Sequence, residues 1–505
     1  MVLAACGAAT TGAKLSANQN LTIGWGKDEY VTSGPGSSTG QYPLNVGVYE
    51  PLVRLGTDYS VNPMLATRWE QSQGVTWTFH LRPGVKWHDG SPLTADDVKW
   101  TFDRQGQAQS GPTGLGGNST SVIDAQTVQF KLTQTNYRFV ESCVHPYLSI
   151  LKKGTPPGPP GPGTGPFRWI DYIPQTHARV TRSKTYWGTA ATPANLTFQF
   201  IPDDNTRALS LASGQLDVAA DVARPAVGTL KNRSDVSVMH APTGAYTAFY
   251  VNIGGKAPYD IGADPAVRLA LETGIDREAF LSSVFSGLGT SAQTMVPPAV
   301  LGKYAGDVKG FSYDPTRAAA SLEGAGWTQS GGGVRAKNGR SLQLVLVNGF
   351  PDATSNAGVS EFVQAELQKI GIGVTVKTEP DSDSYSAVVN SGAGDLFVET
   401  GNQNDADPTF LPTGVFDSQI GFPGYGIFAP GSSVDGLIAK ALNSPSDDQA
   451  RSYIAQAMHQ IVDVSMVFIE LAGVYRLFGV RSNIQGLVPH PSDVSQSWAT
   501  LSRVS

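Results

Sequence analysis

The sequence predicts a mixed α/β protein of more than one domain, and three observations carry that prediction. First, Trp77, Phe79 and Leu81 alternate with Thr78, His80 and Arg82, the period-2 pattern of a half-buried strand. Thr94-Ala95-Asp96-Asp97 then opens a helix with the S/T-x-x-D form of a cap. Second, residues 342–347 form an apolar run broken only by Gln343; Val359, Phe362, Val363, Leu367 and Ile370 follow at helical spacing, and Ile372, Val374 and Val376 alternate again. A strand-helix-strand order of this length implies a parallel pair joined by a right-handed crossover. Third, 505 residues are enough for two or more domains with a large buried core.

Taken in order, residues 8–20 are small and polar and read as a tether. Leu21, Ile23 and Trp25 begin the first strand, and a Gly/Ser loop spans 34–40. Tyr49-Glu50-Pro51-Leu52-Val53, Pro63-Met64-Leu65-Ala66 and Trp69-Glu70 precede the alternating strand. Pro83-Gly84 turns the chain, Val85 and Trp87 resume the alternation, and Asp89-Gly90 turns it again before Val98 and Phe102 mark the inner face of the capped helix. The Gly/Pro run at 154–166 is too short for a collagen helix and reads as a stiff surface loop ending in Gly163-Thr164-Gly165-Pro166-Phe167. Lys184, Tyr186 and Trp187 follow, then a short helix and turn at 211–217 and an apolar run at 249–251 that ends in Asn252.

Asp264-Pro265 starts a helix with Asp as N-cap and Pro in the first turn, and Val267, Ala270 and Leu271 supply its apolar face. Asp276 caps a second helix, through Phe280, Leu281, Val284 and Phe285, and Asp314-Pro315 repeats the device. After the strand-helix-strand unit, 396–398 is the expected neighbouring strand. A last helix near 450–462 leads to the segment 466–471, and 474–480 is expected to carry the chain back to its first domain.

Composition narrows the function classes. A hydrophobic share of 40% with only 15% charged residues describes a soluble globular chain, and a net charge of −6 gives no basic face for nucleic acid. No apolar run reaches the length of about 18 residues that a membrane-spanning helix needs. Several catalytic spellings occur, but each lacks its context. Ser38 lies in G-x-S-x-G form inside the Gly/Ser loop rather than at a strand-to-helix elbow. Ser149 and Lys152 fit S-x-x-K without the companion motifs. The glycine-rich 111–117 has the wrong spacing for a dinucleotide loop, and Cys143 with His145 is too small a set for zinc. Cys143 reads as a small buried hydrophobe. No cofactor, no metal site and no catalytic residue is expected; an extracellular serine hydrolase acting through Ser38 or Ser149 is the alternative.

The order of strand, Pro-Gly turn, Trp87-His88-Asp89-Gly90 turn and capped helix over 77–104 closely resembles the signature segment of the family 5 extracytoplasmic solute-binding proteins. These are the dipeptide-, oligopeptide- and nickel-binding receptors of ABC importers. Gly163–Phe167, Trp187 and the 211–217 segment resemble further motifs of that family, and the likeness runs from about Leu21 to Leu487. It implies a two-lobed periplasmic-binding-protein-like fold, type II, of the large cluster with an extra subdomain in lobe I. Lobe I is expected over 21–251 plus 478–505, with the extra subdomain at about 48–185, and lobe II over 252–477. Two crossovers, near Asn252 and Val474, would form the hinge on which the lobes close over ligand. The implied partners are ABC permease subunits and a small solute, most directly a peptide, with a nickel chelate or an oligosaccharide as alternatives. A monomer is expected.

The same resemblance places the ligand residues. Tyr49, Asn252 and Tyr425 correspond to positions at or near the cleft. In Gly401-Asn402-Gln403-Asn404-Asp405-Ala406-Asp407-Pro408 the peptide-binding branch carries an aromatic and then an Asp, three residues before an acidic-Pro pair, that receives the peptide's α-amino group. Here Asn402 replaces the aromatic and strict spacing puts Asn404 at the Asp position, whereas a one-residue deletion aligns Asp405. Either residue is open as the amine-binding position, and Asp407-Pro408 reads as a turn and helix cap. Cys6, in Leu3-Ala4-Ala5-Cys6-Gly7, has the form of a lipoprotein cleavage site. A lipid on Cys6 would hold the protein, outside the cytoplasm, at a membrane face, with no other membrane contact. The true start of the signal peptide is left open.

Overall fold

The computed structural model describes residues 14–26, 46–106, 115, 119–145, 148–155, 161–291, 294–329, 333–349, 354–418, 431–492 and 495–505. Cys6, Ser38 and Tyr425 lie outside them. The chain divides into two compact units: residues 1–241, 404–406 and 476–505 form the first, and residues 242–403 and 407–475 form the second. It passes from one to the other inside strand Val236–Val251, and returns inside strand Phe468–Arg481.

In the first unit, strand Asn20–Trp25 runs parallel to Asn195–Phe200 on one side and to Val218–Ala220 on the other, with Ile23 opposite Phe198 and Val218. Antiparallel strands His177–Arg182 and Phe167–Ile173 extend the sheet, and Val480 pairs with Val218 at its other side. Inward alternation buries Leu21, Ile23 and Trp25, and Trp25 packs against Phe198 and Trp498 at ring-centre distances of 5.7 and 5.6 Å.

A separate four-stranded antiparallel sheet, in the order Ala66–Ser72, Thr76–Leu81, Thr127–Lys131, Thr120–Asp124, carries the alternating segment. Trp77, Phe79 and Leu81 are buried, and Phe79 meets Phe130 edge-on at 5.5 Å. Helix Ala95–Gly106 lays Val98 and Phe102 on that core, with Phe102 and Phe130 4.6 Å apart. Its cap works as the spelling requires. Asp97 Oδ2 accepts the Thr94 backbone N–H at 2.9 Å and the Trp87 indole N–H at 3.3 Å, so the W-H-D-G turn is tied to the helix start.

The second unit is built on the strand-helix-strand element. Strand Gln343–Asn348 runs parallel to Gly373–Thr378 across helix Thr354–Lys369, and parallel also to Leu396–Asn402, which pairs antiparallel with Val236–Val251. Three helices start on aspartates that accept an N–H of the first turn. Asp264 caps Pro265–Gly274, Asp276 caps Arg277–Ser283, and Asp314 caps Pro315–Gly324, at 2.8 to 3.0 Å. Their apolar faces bury Leu271, Phe280 and Leu322 against Phe249, Leu344, Val363 and Leu396. Helix Asp447–His459, capped by Ser446, continues as a wider π turn over Gln460–Val464.

Candidate functional site

Strand Leu396–Asn402 delivers the chain into the 403–409 loop, with Asn402 opposite Ala245. Gln403 is fully buried. Its N–H donates to Gly244 O at 3.0 Å and its side-chain amide to Asp407 O at 2.8 Å, which fixes where the loop begins and ends. Asp407 Oδ1 accepts the Thr409 N–H at 2.9 Å and the Thr409 hydroxyl at 2.7 Å, immediately before helix Phe410–Phe416. Asp407 is therefore spent on the turn, as the Asp-Pro spelling suggested.

Asn404 takes the other side of the loop. Its side-chain oxygen accepts the hydroxyl of the buried Ser492 at 3.3 Å. The Ser492 N–H donates to His490 Nδ1 at 3.0 Å, which leaves the proton on Nε2, 3.3 Å from Leu55 O. Burial holds His490 below the usual imidazole range. Asp405 follows, a carboxylate only 4% exposed.

Of the other expected ligand residues, Tyr49 and Asn252 are among the described ones. Tyr49 is half-buried, its hydroxyl donating to Gly161 O at 3.1 Å and accepting the Trp169 indole N–H at 3.2 Å. Asn252 is buried at the end of its strand and donates to Gly392 O and Gly394 O at 3.2 and 2.9 Å, while its N–H meets Asp395 O at 2.9 Å. Asp395, beside it, accepts the Val345 N–H, and burial pushes its carboxyl up to about 6. Ser149 is buried and Lys152 is ion-paired with Asp89, so the S-x-x-K spelling has no exposed nucleophile. Cys143 is a buried free thiol. Among the described residues no group of three or more His, Cys, Asp or Glu is arranged to hold a metal ion, and no helix is long and apolar enough to cross a membrane.

Glu50 is the residue that sequence reasoning passed over. It is 2% exposed, and three motifs meet on it. Oε2 accepts the Thr164 hydroxyl at 2.8 Å and the Trp187 indole N–H at 2.9 Å, and Oε1 accepts the Tyr186 hydroxyl at 2.7 Å. The Arg82 guanidinium stacks 4.5 Å above the Trp187 ring. Burial raises the Glu50 pKa against these hydrogen bonds and Arg82. His88 completes the junction, its ring 2.9 Å from Gly165 O and 3.1 Å from Gly163 N. A side chain at Gly163 would stand 1.9 Å from Val48 O, so only glycine lets the two segments approach. The one sequence signal for Glu50 was a carboxylate inside the apolar 49–53 run.

The model of the bacterial extracellular solute-binding proteins, family 5 (middle region), matches residues 60–422. The dipeptide-binding protein of Escherichia coli (strain K12) is 32% identical over 395 residues, 69% of this chain and 69% of its own. The chain belongs to family 5 of the bacterial extracellular solute-binding proteins. Its members are binding proteins rather than enzymes, are extracytoplasmic, and have the two-lobed fold; nothing in that membership supports a serine hydrolase. The nickel-binding periplasmic protein of the same E. coli strain is 27% identical over 85% of this chain and 87% of its own. Among solved structures, NikA from Brucella suis in complex with Fe(III)-EDTA superposes with a TM-score of 0.85 at 23% identity, over 96% of this chain and 99% of that one.

Proposed function

We propose that this family 5 chain is the solute-capturing component of an ABC importer, that its ligand is a peptide, and that Asp405 receives the ligand's α-ammonium. The observation that carries the reading is the division of roles in the 403–409 loop. Asp407 caps the turn through Thr409, Asn404 is held by Ser492, and Asp405 is a buried carboxylate in the same loop. The dipeptide-binding relative supports the choice of peptide. A charge-assisted hydrogen bond contributes about 1.5–3 kcal/mol net, so Asp405→Asn should weaken binding of the ligand about tenfold or more. Asp407→Asn should instead lower the melting temperature with little change in affinity, because a turn residue acts on the fold. Calorimetric titration of both variants, with the solute identified by mass spectrometry after its release from denatured protein, separates the roles. Parental affinity in Asp405→Asn would reduce that carboxylate to a structural charge.

A second ligand class is favoured by the nickel-binding relative. With no ready-made metal cluster among the described residues, the form to expect is a chelate whose own donors fill the metal's coordination sphere. In either case the protein makes and breaks no bond; it works as a monomer and hands the solute to membrane permease subunits. Cys6 is the proposed lipid attachment point, since two chains on one residue are enough for stable anchoring. Membrane fractionation tests this: the full precursor should sediment with membranes and Cys6→Ser should not, and equal distribution of the two would refute the anchor.

A further inference from the structure

Three parallel strands of the first unit, Asn20–Trp25, Asn195–Phe200 and Val218–Ala220, end along one edge, with Trp25 opposite Phe200 and Gly24 opposite Ala219. In open α/β sheets, ligands bind outside the carboxyl ends of such strands. At this edge the buried Arg207 gathers the strand-end carbonyls of Ile201 and Ala220, at 2.6 and 2.7 Å, which fixes their positions.

Asp221 is the first residue past that edge. Its backbone is left-handed, at φ 53°, a region that non-glycine residues occupy where the surroundings require it and that is enriched at ligand sites. Arg476 holds its carboxylate with Nε 2.8 Å from Oδ1 and Nη2 3.4 Å from Oδ2, and the same guanidinium lies 4.9 Å over the Phe478 ring. The two partners differ sharply in exposure: the Arg476 side chain is 5% exposed and that of Asp221 45%. A solute arriving at this pair therefore meets the carboxylate. The Arg476 charge adds to the lowering of the His490 pKa, and His490 is hydrogen-bonded through Ser492 to Asn404, which links the pair to the 404–406 loop within the first unit.

We propose that Asp221, oriented by Arg476, is a second ligand-binding carboxylate of the first unit and takes a cationic group, an ammonium or guanidinium, of the bound solute. The inference rests on the solute-binding reading above and deepens it: with Asp405 taking the α-ammonium, Asp221 selects peptides that carry a basic side chain. Arg476 is the positioning residue. Its planar fork sets both carboxylate oxygens, which the point charge of a lysine does not do.

Calorimetric titration of the dipeptides Ala-Lys and Ala-Leu into wild type, Asp221→Asn and Arg476→Lys tests it. Wild type should prefer Ala-Lys by about tenfold, that is by about 1.4 kcal/mol, Asp221→Asn should lose most of that preference, and Arg476→Lys should fall between them. Melting temperature alone would not produce that ordering. Equal affinities for the two dipeptides in wild type, or a preference that survives in Asp221→Asn, would overturn the inference and leave the peptide reading intact. If neither dipeptide binds wild type, the peptide reading is what fails. The solute that copurifies then decides: a cationic solute held by wild type and lost from Asp221→Asn sustains the inference, and a neutral or anionic one kept by both overturns it.

Discussion

Arg277→Met is expected to destabilise the protein by about 3–5 kcal/mol, the range for a buried ion pair broken on one side. Arg277 is 6% exposed and its charge acts on two glutamates that are more deeply buried, Glu272 at 1% and Glu470 at 3%. Its guanidinium is ion-paired with Glu272 and donates to Glu272 O at 3.0 Å and to Glu470 O at 2.7 Å. Burial raises both carboxyls, Arg277 pulls them back, and Glu272 pushes Glu470 up further, so one cation serves two acids. Methionine fills a similar length without charge. Glu272 then takes up a proton instead of standing as an uncompensated buried anion. The sign of the pH effect follows. A carboxyl whose folded pKa is raised above its unfolded value stabilises at low pH, and that contribution is lost as pH rises through the folded value. The deficit of the variant should therefore grow between pH 5 and 8, as measured by denaturant unfolding at both ends. A deficit under about 1 kcal/mol throughout, or one that shrinks as pH rises, would remove Arg277 from this role. Adding Glu272→Gln to Arg277→Met should recover part of the loss, because the two changes act on one interaction.

That cluster was invisible in the sequence, and the reason is general. Glu272 and Arg277 are near neighbours, but Glu470 joins them from almost two hundred residues away, and no local pattern encodes the meeting. Periodicity did better. The alternation at 77–81 is strand Thr76–Leu81, the capped helix begins at Ala95, and the strand-helix-strand unit has its parallel register, Leu346 opposite Val376. It failed where a strand is not uniformly apolar. The run that leads into Asn252 closes a sixteen-residue strand, Val236–Val251, whose middle carries Pro242 and Gly244, both poor strand signals. Most of 466–471 and all of 474–480 belong to the single strand Phe468–Arg481, in which Gly473 pairs with Thr290. In the loop at 403–409 the sequence left Asn404 and Asp405 open. The Thr409 N–H and hydroxyl both donate to Asp407, in keeping with its reading as a turn residue.

Glu50→Ala is expected to cost about 3 kcal/mol, and Glu50→Gln much less, because what the three motifs need at this point is acceptors rather than charge. Alanine leaves the Thr164 hydroxyl, the Trp187 indole N–H and the Tyr186 hydroxyl without the carboxylate they share, and each buried donor left unmade costs about 1–3 kcal/mol. Tyr186 and Trp187 are half-buried and can recover part of this from water, which keeps the total near the low end. Glutamine can restore the pattern. Its oxygen, placed where Oε2 was, accepts from Thr164 and Trp187, and its NH₂ donates to the Tyr186 hydroxyl, which can accept. A protonated Glu50 would bond in the same way, and burial does raise its pKa despite the three donors and Arg82. With the folded value above the unfolded one, the wild-type contribution is complete below the unfolded pKa of about 4.3 and is lost as pH rises through the folded value. Glutamine has nothing to titrate, so Glu50→Gln should gain on wild type as pH rises from about 4 toward neutrality, while Glu50→Ala stays below both. Melting temperatures of the three proteins across that range check the ordering. If glutamine proves as damaging as alanine at every pH, the charge itself, balanced by Arg82 over the Trp187 ring, is what holds the motifs together.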